Sequence, residues 1–305
     1  MLNHVFPRAL VTEETKDYAL PREVVEQVYR ANSLGHNSGP ELRLQGVYGD
    51  ELWMKMQSLG LGPSWWVGKT VLDLCCGTGF LSYHLLARAR PAHLTLLDIS
   101  QNEVAQAEKL ITSTYHGQAL EFLCSNALDS PCSSASFDVV IGNSFLHHFP
   151  DVGLALREFA RVLKPGGLFV SLHEPKAAAI ALESRNPANW LSYARHGAAF
   201  VDRLRRDGTS LQAGQGTDVW LFDEGELRSL LREAGFERVK TEPWHFLRPL
   251  LVATAALHLD ARRPRLGVVG RGLLRATIHA DALLRGLLPT GFFASLAFLA
   301  QKPTA

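Results

Sequence analysis

Between residues 69 and 174 the chain alternates short apolar runs with amphipathic ones, and the alternation predicts strand and helix in turn. Val71, Leu72 and Leu74 form an apolar run broken only by Asp73, the pattern of a strand buried on both faces. Gly77 and Gly79 then permit a tight turn, after which Phe80, Leu81, His84, Leu85 and Leu86 recur at helical spacing. His93–Asp98 predicts a second strand ending in an acid, Gln101–Ile111 a helix, and Leu120–Cys124 and Phe137–Gly142 two further strands. Asp151–Leu163 predicts a helix stopped by Lys164-Pro165-Gly166-Gly167, with a fifth strand over Leu168–Leu172. The rhythm returns with a helix over Asp223–Ala234 closed by Gly235, a strand over Phe236–Thr241 and a last strand over Phe292–Gln301. This predicts an α/β fold, a doubly wound and mostly parallel sheet with helices on both faces. Right-handed crossovers would line up the C-terminal strand ends along one edge, where ligands of such sheets bind.

Three stretches break the rhythm and divide the chain. Residues 1–68 read as a helical N-terminal lid, with Pro21 placed to open a helix carrying Val24, Val25, Val28 and Tyr29 on one face. The core occupies 69–174; 175–222 is a cap insertion with a helix around Ala188–Arg206 and a loop holding Gly208, Gly214 and Gly216. A core helix and strand fill 223–245, a helical basic insertion 246–289, and the final strand and tail 290–305. Tyr29, His36, Tyr48, Trp53, Trp65 and Trp66 could line a pocket, but aromatics at such spacing are more often core.

Composition narrows the function classes. A chain of 305 residues, 47% hydrophobic, can bury a substantial core, and a net charge of +1 gives no general attraction to nucleic acid. Charge is uneven: residues 246–305 hold eight Lys/Arg against Asp260 and Asp281, a local +6, leaving −5 on the rest. A basic, Leu- and Ala-rich insertion of this kind could rest on an anionic membrane surface. Its arginines are scattered around the helical pattern, however, which favours a cap or a contact between copies. No apolar stretch reaches the roughly 18 residues of a spanning helix, and Met1–Asp17 lacks a signal-peptide core. Cys75, Cys76, Cys124 and Cys132 show neither metal spacing nor a secreted disulfide framework, so reduced thiols and a cytoplasmic location are expected. No carboxylate/histidine cluster at metal-ligand spacing is evident in the sequence, so no metal is expected. Oligomeric state has no sequence signal.

The chemistry collects at the predicted strand ends. Asp98 follows Gly79 by nineteen residues, the place where a carboxylate of a doubly wound fold accepts hydrogen bonds from ribose hydroxyls. Asn126-Ala127 follows the third strand, where an amide or backbone group can meet a purine edge, and Asn143 begins the polar exit of the fourth. A nicotinamide dinucleotide is the rival ligand, but the third small position of the turn is Ser82 and the residues before it are Cys75-Cys76. The run Val71–Gly79 instead resembles the first motif of the class I, seven-stranded, Rossmann-like S-adenosylmethionine-dependent methyltransferases. The resemblance covers about 69–174, recurs at 220–242 and is weak at 292–302; Arg161-Val162-Leu163-Lys164-Pro165-Gly166-Gly167 is a highly recognisable part of it. It implies S-adenosyl-L-methionine as cofactor, with Asp73, Cys75, Gly77, Thr78 and Gly79 around the amino-acid moiety, Asp98 and Ile99 at the ribose, Asn126 and Ala127 at adenine, and Asn143 nearby.

Two departures from the family pattern stand out. Cys75 occupies a place where glycine is usual, and Asn126 replaces the usual acid, though its carbonyl oxygen can still accept from an exocyclic amine. Methyl transfer from a sulfonium is a displacement in which positioning does most of the work, worth about 7–11 kcal/mol, so a base is optional. If the nucleophile is a hydroxyl, His148, then His173, then His147 are the candidate bases; histidines here also cap helices or pack beneath the cofactor. Asp73, an acid in a buried strand, is expected to orient the loop or the cofactor's amino group. The expected function is methyl transfer to a small organic acceptor, at a hydroxyl or carboxyl oxygen of a specialised metabolite. The alternative is a methyltransferase-fold protein that binds the cofactor without transferring methyl and serves a rearrangement, cyclisation or interaction role; N- and C-methylation also stay open.

Overall fold

The computed structural model describes residues 41–149, 151–176, 222, 224–247 and 268–304. In chain order the elements are α1 Glu41–Ser58, β1 Thr70–Leu74, α2 Phe80–Arg88, β2 His93–Asp98, α3 Gln101–Thr112, β3 Leu120–Cys124, β4 Phe137–Gly142 and α4 Val152–Val162. They continue with β5 Leu163–Pro175, α5 Glu224–Glu233, β6 Glu237–Trp244, α6 Val268–Leu284 and β7 Ser295–Gln301. The strands form one seven-stranded sheet in the order β3-β2-β1-β4-β5-β7-β6. All neighbours are parallel except β7, which runs antiparallel to β5 and β6. Strand order reverses beside β1, so the crevice beyond the ends of β1, β2 and β4 is the topological switch point.

Both faces of the sheet are covered, which is why the central strands read as nearly continuous apolar runs. On one face Val71, Leu94, Leu96 and Val139 pack with Trp53 and Met56 of α1, Leu85 of α2, Ile111 of α3 and Ile278 of α6. On the other, Leu72, Leu74 and Val140 pack with α4 and α5 through Phe159, Leu227 and Leu231. α4 shows how the sequence directs this: Val152, Ala155, Leu156, Phe159 and Val162 form one buried stripe, and the Asp151 side chain caps the helix by accepting from Leu154 N–H at 2.7 Å.

Several boundaries depart from the sequence expectation. β5 begins at Leu163, which pairs with Phe137; the ladder resumes at Val139 with Leu168, so Lys164–Gly167 loops out within the strand instead of separating it from the helix. β6 runs on to Trp244, through a proline that an edge strand tolerates. β7 starts only at Ser295, because Thr290–Phe292 closes a single 3-10 turn. Trp53 and Trp66 are core residues, and Trp65 and Tyr48 pack partly buried against that core. The expected Pro21 helix with Tyr29, the loop holding His36 and the helix at Ala188–Arg206 lie outside the described residues. Of the basic insertion's arginines, Arg285 lies 4.0 Å over the Trp244 ring and 3.1 Å from Glu242, whereas exposed Arg275 reaches Asp50 at 3.3 Å. These two are held by different partners. Among the described residues no helix is long and apolar enough to cross a membrane.

Candidate cofactor and acceptor site

β1 ends in a loop whose backbone leaves the ordinary range three times: φ is +54° at Cys75, +52° at Gly77 and +80° at Gly79. At Gly79 the lack of a side chain has a second use, since a Cβ there would lie 2.9 Å from the Ala107 Cβ of α3. Glycine thus lets α3 close against the loop. Cys75 and Cys76 diverge, as neighbouring side chains of an extended segment should, Cys75 packing against the α4/α5 face and Cys76 buried in the α1/α2 face. Burial pushes both thiols well above their ordinary pKa, so neither is a ready nucleophile.

Asp98 joins this loop to the next strand. Its carboxylate accepts from Gly77 N–H and Ser100 N–H, both at 2.9 Å, with further backbone support from Ile99. Burial raises its pKa, only partly offset by these bonds. Ser100 then caps α3, its hydroxyl accepting from Glu103 N–H at 3.4 Å. Glu103 itself is buried, burial lifts its pKa to about 7 with help from Asp98, and its second carboxylate oxygen has no hydrogen-bond partner among the described residues. Deeper in β1, the Asp73 carboxylate accepts from the Ser82 hydroxyl at 2.5 Å, and burial raises it to about 7. Ser82 is therefore more than a small residue at the third position of the turn; it ties α2 to β1.

After β3, at the expected adenine position, the Asn126 carbonyl oxygen accepts from Leu128 N–H at 3.0 Å in an Asx turn, and Ala127 is buried beside it. Thr78 sits between the two glycines of the loop. Beyond β4, a Cβ on Gly142 would lie 2.5 Å from the Phe145 ring, so glycine lets Phe145 fold back over the strand end. Asn143 and Ser144 follow, partly exposed, and Ser144 N–H bonds the His173 carbonyl at 3.0 Å, joining the exits of β4 and β5.

The three histidines separate. His147 is buried, and its Nδ1 lies 2.7 Å from Glu174, a fully buried carboxylate that also accepts from Leu146 N–H, His147 N–H and the Ser171 hydroxyl. That arrangement caps the 3-10 turn at Leu146–His148, and it suits His147 to a structural part. His148 stacks on His147 with ring centroids 3.9 Å apart, and His173 lies beside the His245 ring at 5.0 Å; both stay partly exposed. Sequence reasoning missed Glu174 and Glu103. The only local hint of Glu174 was the same one that exposed Asp73, an acid inside an apolar strand.

The donors and acceptors suit a nucleoside carrying an amino acid. The Asp98 carboxylate stands at the end of β2 beside the loop, the partnerless oxygen of Glu103 belongs to the following helix, and the loop backbone is held in glycine-like conformations. Fold and site together resemble those of the class I S-adenosylmethionine-dependent methyltransferases, whose domain the core of the chain matches. Residues 72–171 match the family model described as "Methyltransferase domain". Over 130 residues the chain is 33% identical to a demethylmenaquinone methyltransferase of Desulfitobacterium hafniense, covering 42% of this chain and 50% of that one. It is 29% identical over 172 residues to the ubiquinone/menaquinone biosynthesis C-methyltransferase UbiE of Brucella anthropi, covering 56% and 63%. The match thus spans about half to two thirds of these relatives' length. Among solved structures, the [4+2]-cyclase SpnF is similar in fold, with a TM-score of 0.51 at 21% identity over 84% of this chain and 81% of that one.

Proposed function

We propose that the protein transfers a methyl group to the ring of a small quinol, at carbon. The observation that carries this reading is the similarity of residues in the cofactor core to two quinone-pathway methyltransferases, one described as a C-methyltransferase. The sequence alone favoured an oxygen of a specialised metabolite, and both readings share one demand on the site. Ionising a ring hydroxyl raises electron density on the oxygen and on the carbon beside it, so a base near β4 and β5 serves either outcome. His148 and His173, both partly exposed, stand at the exits of β4 and β5. Bound S-adenosylmethionine supplies an electrophilic methyl on sulfur. The chain's part is to hold the ribose through Asp98, orient the loop through Asp73 and Ser82, exclude water and accept a proton.

The test is incubation with isotopically labelled S-adenosylmethionine and a reduced short-chain demethylmenaquinone, alongside simple phenols and carboxylic acids, with products located by NMR. Label on a ring carbon supports the reading, and label on oxygen moves it to O-methylation. Tight cofactor binding with no S-adenosylhomocysteine from any acceptor would overturn it and favour the non-transferring alternative. Similarity in fold to a cyclase shows why fold alone cannot decide this.

A further inference from the structure

Away from the glycine loop, the fold buries a second set of charged groups. Glu51 and Lys55 of α1, His245 just after β6 and Ser295 at the start of β7 are 2%, 2%, 5% and 0% exposed. Glu51 Oε1 lies 2.7 Å from Lys55 Nζ and 2.5 Å from His245 Nε2, and Lys55 Nζ is 3.4 Å from that same ring nitrogen. His245 Nδ1 is 2.9 Å from Ser295 Oγ. Both ring nitrogens of His245 thus have a partner, Nε2 facing Glu51 and Nδ1 facing Ser295, and the ring is held from both sides. His245 has φ of +66°, which costs a non-glycine residue about 1–2 kcal/mol. An ion pair buried in this way adds little stability by itself. A strained residue and a buried ionic triad in one place therefore ask for a function.

Topology supplies the connection. Trp244 pairs with Ser295, and Ser295 pairs with Pro175, so His245 emerges on the same sheet edge as the end of β5. There its ring faces His173 at 5.0 Å between centroids. β5 is two strands from β1, about 10 Å at ordinary strand spacing, a distance that a small ring bound between cofactor loop and His173 can bridge. We propose that His173 takes the acceptor's proton and that the cluster of Glu51, Lys55, His245 and Ser295 is its positioning array. This rests on the reading of the protein as a methyltransferase acting on a hydroxylated ring. In the step, the acceptor's O–H bond breaks and its proton passes to the His173 ring while the electron pair stays on the acceptor. The ring carbon then bonds the methyl group, the methyl–sulfur bond breaks with its pair left on sulfur, and the ring proton moves to the oxygen as aromaticity returns. One proton is released per methyl, from His173 to solvent. Among the described residues, the charged groups on the elements packed there include Glu51 and Lys55 from α1, Glu174 and Lys176 at the end of β5, Glu242 from β6, and Asp281 and Arg285 at the end of α6, Asp281 accepting from the N–H groups of Phe246 and Leu247.

The test combines rates with histidine-selective NMR on the full chain. With a reduced short-chain demethylmenaquinone, His173→Gln should lower kcat at least ~100-fold, the usual scale for a proton-transfer group, with the cofactor Kd from calorimetry unchanged. Glu51→Gln and His245→Gln should lower kcat about 10-fold or more; Glu51→Gln, by removing a negative charge beside His245, whose ring lies 5.0 Å from that of His173, should move the His173 titration and the acidic limb of the pH–rate profile down together. Ser295→Ala, which removes one bond and little volume, should do the same as His245→Gln to kcat in smaller degree, and serves if the larger changes unfold the chain. A His173 titration that Glu51→Gln and Ser295→Ala both leave in place, or a His173→Gln enzyme of full rate, overturns the proposal. A wild-type protein that methylates none of the acceptors defeats the assigned reaction instead, while the NMR coupling between Glu51 and His173 still decides the array.

Discussion

Cys75 holds a left-handed backbone that costs most residues about 1–2 kcal/mol and glycine almost nothing. Cys75→Gly should therefore raise stability by about 1 kcal/mol, read as a higher Tm by calorimetry, and should leave cofactor affinity equal or better. A lower Tm would mean that the thiol's packing against the α4/α5 face outweighs the strain. Asp73 makes a pH prediction at the same scale. Its carboxyl is raised from 3.8 to about 7 by burial, against the opposing bond from Ser82. The unfolded chain loses that proton near pH 4 and the folded chain only near pH 7, so the folded state binds more protons in between. Stability of the cofactor-free protein should therefore fall as pH rises from about 4 to about 7 and then level off. Urea titrations across that range should show a shallower slope in Asp73→Asn. Glu103, lifted to about 7 by its own burial, acts in the same window, so Glu103→Gln should remove a further part.

At the scale of elements, the β2–α3 junction and the β4–β5 junction each turn on one carboxylate. Asp98 holds Gly77 from one oxygen and Ser100 from the other, so it shapes the loop in addition to its proposed part at a ribose. Asp98→Ala should weaken S-adenosylmethionine binding about 10-fold or more in calorimetry, the worth of hydrogen bonds to a charged group. Unchanged affinity would remove Asp98 from the seat. Glu174 gathers two backbone N–H groups, a serine hydroxyl and an imidazole in a site closed to solvent. Glu174→Ala leaves those donors without an acceptor and should destabilise the fold by about 3 kcal/mol or more, seen as a shift in the denaturant midpoint.

For the whole molecule, cofactor binding and folding are linked, since the seat exists only when β1, β2 and α3 are assembled. At about 100 times its Kd the cofactor should add about 2.7 kcal/mol to stability, a rise in Tm that Asp98→Ala should cut to about half or less.

How much of this was legible in the chain depends on the distance between the residues involved. The alternation from Val71 to Leu172, the glycine turn and the acid at the end of β2 were visible because period and spacing are local properties of the sequence. β2, β3 and β4 have the predicted bounds, while β5 does not, because the looped-out Lys164–Gly167 within it depends on pairing with β4. In the site, Asp98 and Gly77 could be matched by position, but the parting of His147 from His173 could not. One is taken by Glu174, and the other lies beside a histidine seventy-two positions further on. Glu51 and His245 carry no mutual sign in the sequence, being 194 positions apart and neighbours only once α1 lies across the sheet beside β6. The sequence by itself determined most elements of the core, the class of fold and the family resemblance, since each follows from short-range pattern. Only the tertiary structure decided which polar groups are buried together, because desolvation and hydrogen bonding act between surfaces that the chain brings into contact after those elements have formed.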